Sequence, residues 1–215
     1  PEPDDYSRDL RAEIGLEADD IFILQPTRVV ARKGIENAIK LVGMLDNPRC
    51  KLVISHAAGD EGFEYQRMLS ELAAEEEVDL RFISERVSEY RQRDQNGRKL
   101  FTLWDIYPHA DLVTFPSTYE GFGNALLEAI YFRRPIVVGR YSIFVSDIEP
   151  RGFRLPVIDG FVSGKVVREV ERLLSDRDYR DQQTARNHEI ASRFFSYEVL
   201  RSSLRLLLGV QRNRA

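Results

Sequence analysis

The stretch DLVTFPSTYEGFGNALLEAIYFRRPIVVG, residues 111–139, decides how the rest of the chain is read. Residues 111–116 are an apolar run with β-branched and aromatic side chains that stops at proline and serine, the pattern of a buried parallel strand. Gly121 and Gly123 bracket Phe122, and Asn124 then opens a run in which Ala125, Leu126, Ala129, Ile130 and Phe132 recur at helical spacing. Pro135 stops that helix, and residues 136–139 read as the next buried strand. A strand, a glycine turn, a helix and a second strand in this order put the turn at the carboxyl end of a parallel strand. The same turn is the helix N-terminus, where free N–H groups and the helix dipole favour an anion.

Two carboxylates flank the turn. Glu120 precedes the glycines, and Glu128 follows eight residues later, about two helical turns on, so both can face one cleft. Taken alone, these residues fit an ordinary turn and a solvated helix equally well. Upstream, residues 21–25 form a first strand that ends at Pro26 and Thr27, followed by RVVARKG, residues 28–34, and then Ile35, Ala38, Ile39, Val42 and Leu45 at helical spacing. Arg28 and Lys33 therefore sit in a second turn at a strand end, a planar fork and a point charge suited to a diphosphate; with Arg32 they also fit a plain solvated loop.

The remaining chain continues the alternation. Residues 51–55 are a strand, 56–62 a loop holding His56, and 63–76 a helix; a lone loop histidine is more often a bystander. A third strand over 80–83 leaves residues 84–87, with Ser84 and Val87, beside the same cleft. Residues 88–99 are polar with mixed charges and read as an exposed loop or frayed helix. Residues 100–109 read as a helix closed by Pro108, with Phe101, Trp104 and Ile106 in the core. Residues 140–153 have no clear period and suit a loop lining a cleft or an ordinary long connection. A short strand over 155–158 and helices over 164–175, 178–193 and 197–208 complete the chain, with Phe194, Phe195 and Tyr197 as packing residues. Residues 1–20 are acidic and polar, with a short helical run over 7–14 stopped by Gly15, and read as a linker. The division expected is a linker over 1–20, a Rossmann-like ligand-binding domain over 21–195 and a C-terminal helix over 196–215. The fold class is α/β, a doubly wound parallel sheet with helices on both faces, and three loops converge on its carboxyl edge.

Composition limits the partners. With 215 residues, 43% apolar and 31% charged, the chain can bury a substantial core, and its net charge of −4 argues against nucleic acid as a partner of the whole surface. Cys50 is the only cysteine, so an intrachain disulfide is excluded and the reducing cytoplasm is the expected setting. No stretch has the length of a membrane span, and His56, His109 and His188 show no metal-ligand spacing, so no metal is expected.

The run FPSTYEGFGNALLEA, residues 115–129, resembles the donor-site signature of retaining glycosyltransferases of the GT-B fold, in the large family 4 group. The hallmark, two glutamates with seven residues between them, is matched by Glu120 and Glu128, and Arg28 and Lys33 stand where that family places its diphosphate-binding pair. The resemblance covers residues 21–139 well. It implies that Arg28 and Lys33 hold the donor diphosphate, that Glu128 binds the ribose hydroxyls, and that Glu120 contacts hydroxyls of the transferred sugar. It also implies that the amides of Gly121, Phe122, Gly123, Asn124 and Ala125 line the sugar and phosphates, and that Ser84 and Val87 border the nucleobase. The partner implied is a UDP-, GDP- or ADP-hexose, with no metal required by the fold.

Three departures from that family stand out. Arg133 and Arg134 precede Pro135 where a small residue or glycine is usual, the glycine pair usual after the strand is replaced by residues 141–153, and no glycine-rich turn follows Ser55. A complete enzyme of this fold also has a second Rossmann-like domain that carries the acceptor site, so the expectation is a donor-binding half that transfers little or nothing alone. A non-catalytic module that senses nucleotide sugars, and a flavodoxin-like interaction domain that binds no nucleotide, are the alternative readings.

Overall fold

The computed structural model describes residues 2–58 and 63–208. Six parallel strands build one sheet: β1 (Ile21–Gln25), β2 (Cys50–Ile54), β3 (Asp79–Phe82), β6 (Leu112–Phe115), β7 (Ile136–Gly139) and β8 (Val157–Ile158). Their order is β3-β2-β1-β6-β7-β8. Every neighbouring pair is parallel, with Leu24 opposite both Val53 and Val113 at the centre. The order reverses between β1 and β6, and in open sheets of this kind the crevice beyond the carboxyl ends at that reversal is where ligands bind.

The central strands read as unbroken apolar runs because both faces are covered. Phe22, Leu24, Val113, Phe115 and Val138 point to one face, under α5 (Asn124–Tyr131) and Tyr107. Ile23, Leu52, Ile54, Leu112 and Val137 point to the other, under α2 (Ile35–Met44), α3 (Phe63–Glu75) and α6 (Gly164–Ser175). The long α7 (Arg177–Phe195) crosses near α5, and its Asn187 exchanges two hydrogen bonds of 2.9 Å with the Arg154 backbone. Phe195 stacks with Phe153 at 6.2 Å and meets Phe122 edge-on at 4.9 Å, so it has the packing role expected for this joint, whereas Tyr197 is exposed and does not pack there. α8 (Tyr197–Leu207) buries none of its residues.

Several expectations are corrected. The first twenty residues are no free linker: α1 (Leu10–Glu13) places Leu10 in the core, fully buried, with Leu16 beside it. Residues 88–99 form neither loop nor helix but a hairpin, β4 (Gln92–Arg93) against β5 (Lys99–Leu100), antiparallel. Asp94 folds its turn by accepting from the amides of Asn96 at 2.8 Å and Arg98 at 2.9 Å, and Gly97 supplies a φ of +79°. The two misread segments hold each other: the Tyr6 hydroxyl lies 2.8 Å from the Gln92 carbonyl oxygen, and Lys99 Nζ bonds Asp9 at 2.6 Å. With Leu100 in that hairpin, the helix expected over 100–109 shrinks to α4 (Leu103–Ile106) and a 3-10 turn (Tyr107–His109). Trp104 is 57% exposed and not core, its indole edge against Tyr131 and Phe132 at 5.3 and 5.2 Å. The stretch after β7 is ordered as a π-helical turn (Phe144–Ile148) and a 3-10 turn (Glu149–Arg151), with Tyr141 and Phe144 buried. Of the loop expected over 56–62, residues 59–62 lie outside the described residues.

Candidate functional site

An open cleft of about 400 Å³ lies at the carboxyl ends of β1 and β6. The loop after β1 forms one wall. Its 3-10 turn (Ala31–Lys33) ends at Gly34, whose φ of +60° and approach to the Pro116 carbonyl, 2.4 Å from where a Cβ would stand, leave room for glycine alone. This geometry sends the Lys33 side chain inward over the Phe115 ring, with Nζ 5.5 Å from the centroid. Arg28 reaches the same cleft from an exposed position.

The loop after β6 forms the opposite wall, and backbone bonds tie the two together. The Thr118 amide and hydroxyl donate to the Arg32 carbonyl at 2.9 and 3.2 Å, and the Arg32 guanidinium donates to the Tyr119 carbonyl at 3.2 Å. Glu120 is buried and faces these cations: its Oε1 accepts from Lys33 Nζ and, at 3.2 Å, from Arg32. A buried carboxylate needs such partners, and here it occupies both.

The glycine turn follows. Gly123 has φ +92° and stands at the N-cap of α5 with no side chain capping the helix. A Cβ there would lie 2.8 Å from both a Phe115 ring carbon and the Tyr141 hydroxyl. Tyr141 donates to the Phe122 carbonyl at 2.9 Å, so the segment after β7 fixes the turn from behind. Burial, then the negative charge of Glu120, raises the Tyr141 phenol above its ordinary value, which keeps the hydroxyl a donor. Asn124 and Ala125, the first residues of α5, line the cleft, and the Leu126 amide behind them donates to the Gly123 carbonyl at 3.0 Å. One side of the cleft is Glu128, whose Oε2 accepts from the Tyr107 hydroxyl at 2.8 Å. Tyr107 is fully buried and stacks on Phe132 at 5.2 Å, so Glu128 is held by a rigid neighbour.

The structure therefore gathers Arg28, Lys33, Glu120, Gly121, Phe122, Gly123, Asn124, Ala125 and Glu128 around one cleft. Ser84 and Val87 are not part of its wall: Ser84 opens a 3-10 turn after β3, and Val87 pairs with Phe101 and packs on the core. Leu103, the first residue of α4, lines the cleft instead. His56 also lines it, and its Nδ1 is 2.9 Å from the Ser55 hydroxyl. Burial first, then Arg28 and Lys33, holds its imidazole below the ordinary value, so it is neutral near pH 7. Arg32, Tyr107 and Tyr141 have roles that spacing did not reveal. Arg32 adjoins Lys33 in the sequence and was readable there; the tyrosines act across 21 and 19 residues, and no local pattern announces such pairs. Among the described residues no cluster of His, Cys, Asp and Glu fit to hold a metal is present, and no helix is long and apolar enough to cross a membrane.

The family model described as "Glycosyl transferases group 1" matches residues 7–189. A mannosylglucosylglycerate synthase of Thermotoga maritima is 32% identical over 91% of this chain, which spans 50% of that relative's length. Among solved structures, Anabaena Alr3699/HepE in complex with UDP and glucose superimposes with a TM-score of 0.74 at 16% identity, covering 95% of this chain and 52% of that one. The C-terminal domain of the group 1 glycosyl transferase LpcC from Francisella tularensis superimposes with a TM-score of 0.67 at 14% identity, over 91% of this chain and 96% of that one.

Proposed function

The chain belongs to the glycosyl transferases of group 1 and has the fold of a GT-B Rossmann-like half, and from that premise we propose that its cleft binds a nucleoside diphosphate hexose for transfer with retention. The observation that carries the reading is the charge layout. Lys33, Arg32 and Arg28 line one wall, the glycine turn opens α5 at the end, and Glu128 stands on the flank. A diphosphate suits the cations and the α5 N-terminus together, and hydroxyl groups on either side of it suit the two carboxylates.

In this reading the donor displaces Glu120 from Lys33. Lys33 and Arg28 then neutralise the diphosphate as the bond between its oxygen and the sugar C1 breaks, which is electrostatic help to a leaving group. The acceptor hydroxyl forms the new bond to C1, and its proton leaves with the diphosphate. Glu120, released from the ammonium, accepts hydrogen bonds from the sugar hydroxyls. Glu128, oriented by Tyr107, accepts from the ribose. Two fixed cations supply the charge that a metal ion would otherwise bring, so no metal is included.

The acceptor side lies elsewhere. The chain spans about half the length of the Thermotoga relative, and we assign the acceptor to a second domain of a longer protein, acting in the cytoplasm. Holding acceptor against donor supplies much of the rate in such a reaction, so the chain alone should bind but scarcely transfer. Calorimetry with UDP, GDP and ADP and with their glucosyl and mannosyl conjugates tests the binding claim. Saturable binding of one nucleotide, weakened by both Lys33→Ala and Glu128→Ala, is expected. A folded chain that binds one of these ligands with neither substitution weakening it removes the reading.

A further inference from the structure

We propose that the cavity at the opposite edge of the sheet, between the α5–β7 connection and the start of α7, is a second binding site that takes a small phosphate monoester. The cavity has a volume of about 630 Å³, within the range of small-molecule sites. It lies at the amino ends of the strands, since Asp111 precedes β6 and Pro135 precedes β7. The donor cleft is at the carboxyl ends, so the two do not overlap.

Arginine is what marks it. Arg133 and Arg134 come from the end of α5, and Arg177 and Arg180 from the first turns of α7. Among the described residues none of these guanidinium groups makes a hydrogen bond to a carboxylate. Elsewhere Arg81, Arg86, Arg91, Arg98 and Arg140 do, to Asp79, Glu13, Asp105, Asp94 and Glu149, while exposed Arg28 and Arg151 do not. Arg134 is half-buried and bonds only the carbonyls of Phe132 at 3.2 Å and Ala110 at 3.4 Å. Burial lowers its pKa, the mark of a cation held away from water. Arg180 likewise reaches the Leu173 and Leu174 carbonyls at 3.3 and 3.4 Å. Carbonyls at those distances aim a guanidinium but do not neutralise it; Asp181 stands near Arg180, whereas half-buried Arg134 has no ion-pair partner among the described residues, and a desolvated charge without a counterion is unfavourable.

Three carboxylates line the cavity against the four arginines. Asp111 already accepts from the Phe22 amide at 2.7 Å and from Arg11 at 3.3 Å. Asp181 stands 3.6 Å from Arg177 and 4.0 Å from Arg180. Glu2, at the rim, is the remaining one. Against four arginines this leaves a positive excess in a chain of net charge −4. Arg133 adds a second sign: it follows the C-cap of α5 with φ +52°, a left-handed position that glycine fills with less strain. Forks arriving from two separate elements match an anion with several oxygens and two charges, which a phosphate monoester presents and a single carboxylate does not. The volume leaves space for a small polar group on the ester.

Titration calorimetry with glycerol 3-phosphate tests this, with glycerol and malate as controls. The proteins are the unaltered chain, Lys33→Ala, and the double variant Arg133→Gln/Arg177→Gln. Both substituted arginines are exposed, so that variant should fold, as circular dichroism will show. Expected are one saturable site for glycerol 3-phosphate, an affinity within about twofold in Lys33→Ala, and a loss of about tenfold or more in the double variant. Glycerol should not bind, and malate should bind at least about tenfold more weakly. No saturation by about 10 mM overturns the site. Binding abolished by Lys33→Ala but untouched by the arginine substitutions assigns the phosphate to the donor cleft, and malate binding as tightly as glycerol 3-phosphate overturns the ligand class.

Discussion

Replacing Glu120 by glutamine should tighten the binding of a nucleoside diphosphate while it impairs use of the intact donor. Without ligand, Lys33 and Arg32 both spend hydrogen bonds on the Glu120 carboxylate, and the Lys33 side chain is only 11% exposed. A diphosphate must displace that carboxylate. Unit charges about 4 Å apart interact by about 4 kcal/mol at the effective dielectric constant of about 20 suited to such sites. Much of that is offset, because a glutamine amide still hydrogen-bonds and because the displaced glutamate regains water. A net gain of about 1.5–3 kcal/mol remains for the diphosphate, a rise in affinity of roughly 10- to 150-fold. The unliganded variant should also be less stable by about 3–5 kcal/mol, since it keeps a nearly buried ammonium without its counterion. Bound diphosphate restores the counterion, so the rise in Tm on adding nucleotide should be larger than in the unaltered chain. The sugar conjugate loses its hydroxyl partner and should gain less than the bare diphosphate. Calorimetry on both ligands and a thermal melt give the comparison. Equal or weaker binding of the diphosphate by Glu120→Gln would mean that the phosphates do not meet Lys33.

Three further outcomes follow from the same geometry. Gly123→Ala should lower stability by about 2–4 kcal/mol in denaturant unfolding, through left-handed strain and through contacts of 2.8 Å with Phe115 and Tyr141. Tyr107→Phe removes the hydroxyl that donates to Glu128 and should weaken nucleoside diphosphate binding by about 1 kcal/mol, roughly fivefold, with the helix content unchanged. His56 gives a pH dependence. Its folded pKa lies below the ordinary 6.5, so below that pH the unfolded chain binds more protons and stability falls as the solution is acidified. A bound diphosphate offsets the field of Arg28 and Lys33 and raises that pKa, so a sugar conjugate should bind more tightly as pH drops below 6.5, with proton uptake. His56→Asn should abolish the uptake, read as the buffer dependence of the binding enthalpy.

How much of this was legible in the sequence depends on whether the signal was local. The central strands were readable because burial on both faces leaves continuous apolar runs, and the cleft because glycine turns and charges sit at their ends. The hairpin after β3 was missed because its strands have two residues each and its stability comes from afar, from Tyr6 and Asp9 in a segment read as a linker. That segment looked polar because only Leu10 and Leu16 enter the core, too few to set a period. Trp104 reads as core beside Phe101 and Ile106, yet α4 is so short that its indole rests on the surface of α5. The cleft itself shows the limit most clearly. The strand–helix alternation brings Lys33 and Glu120 to one sheet edge and the family resemblance gives each its own task at one ligand, but neither places them on each other. Charges of opposite sign brought to one edge will pair when nothing else is there, so the resting site is a closed ion pair. Donor affinity is then a difference between two anions competing for the same cations, which is why removing the protein's own anion is more informative than removing the cation.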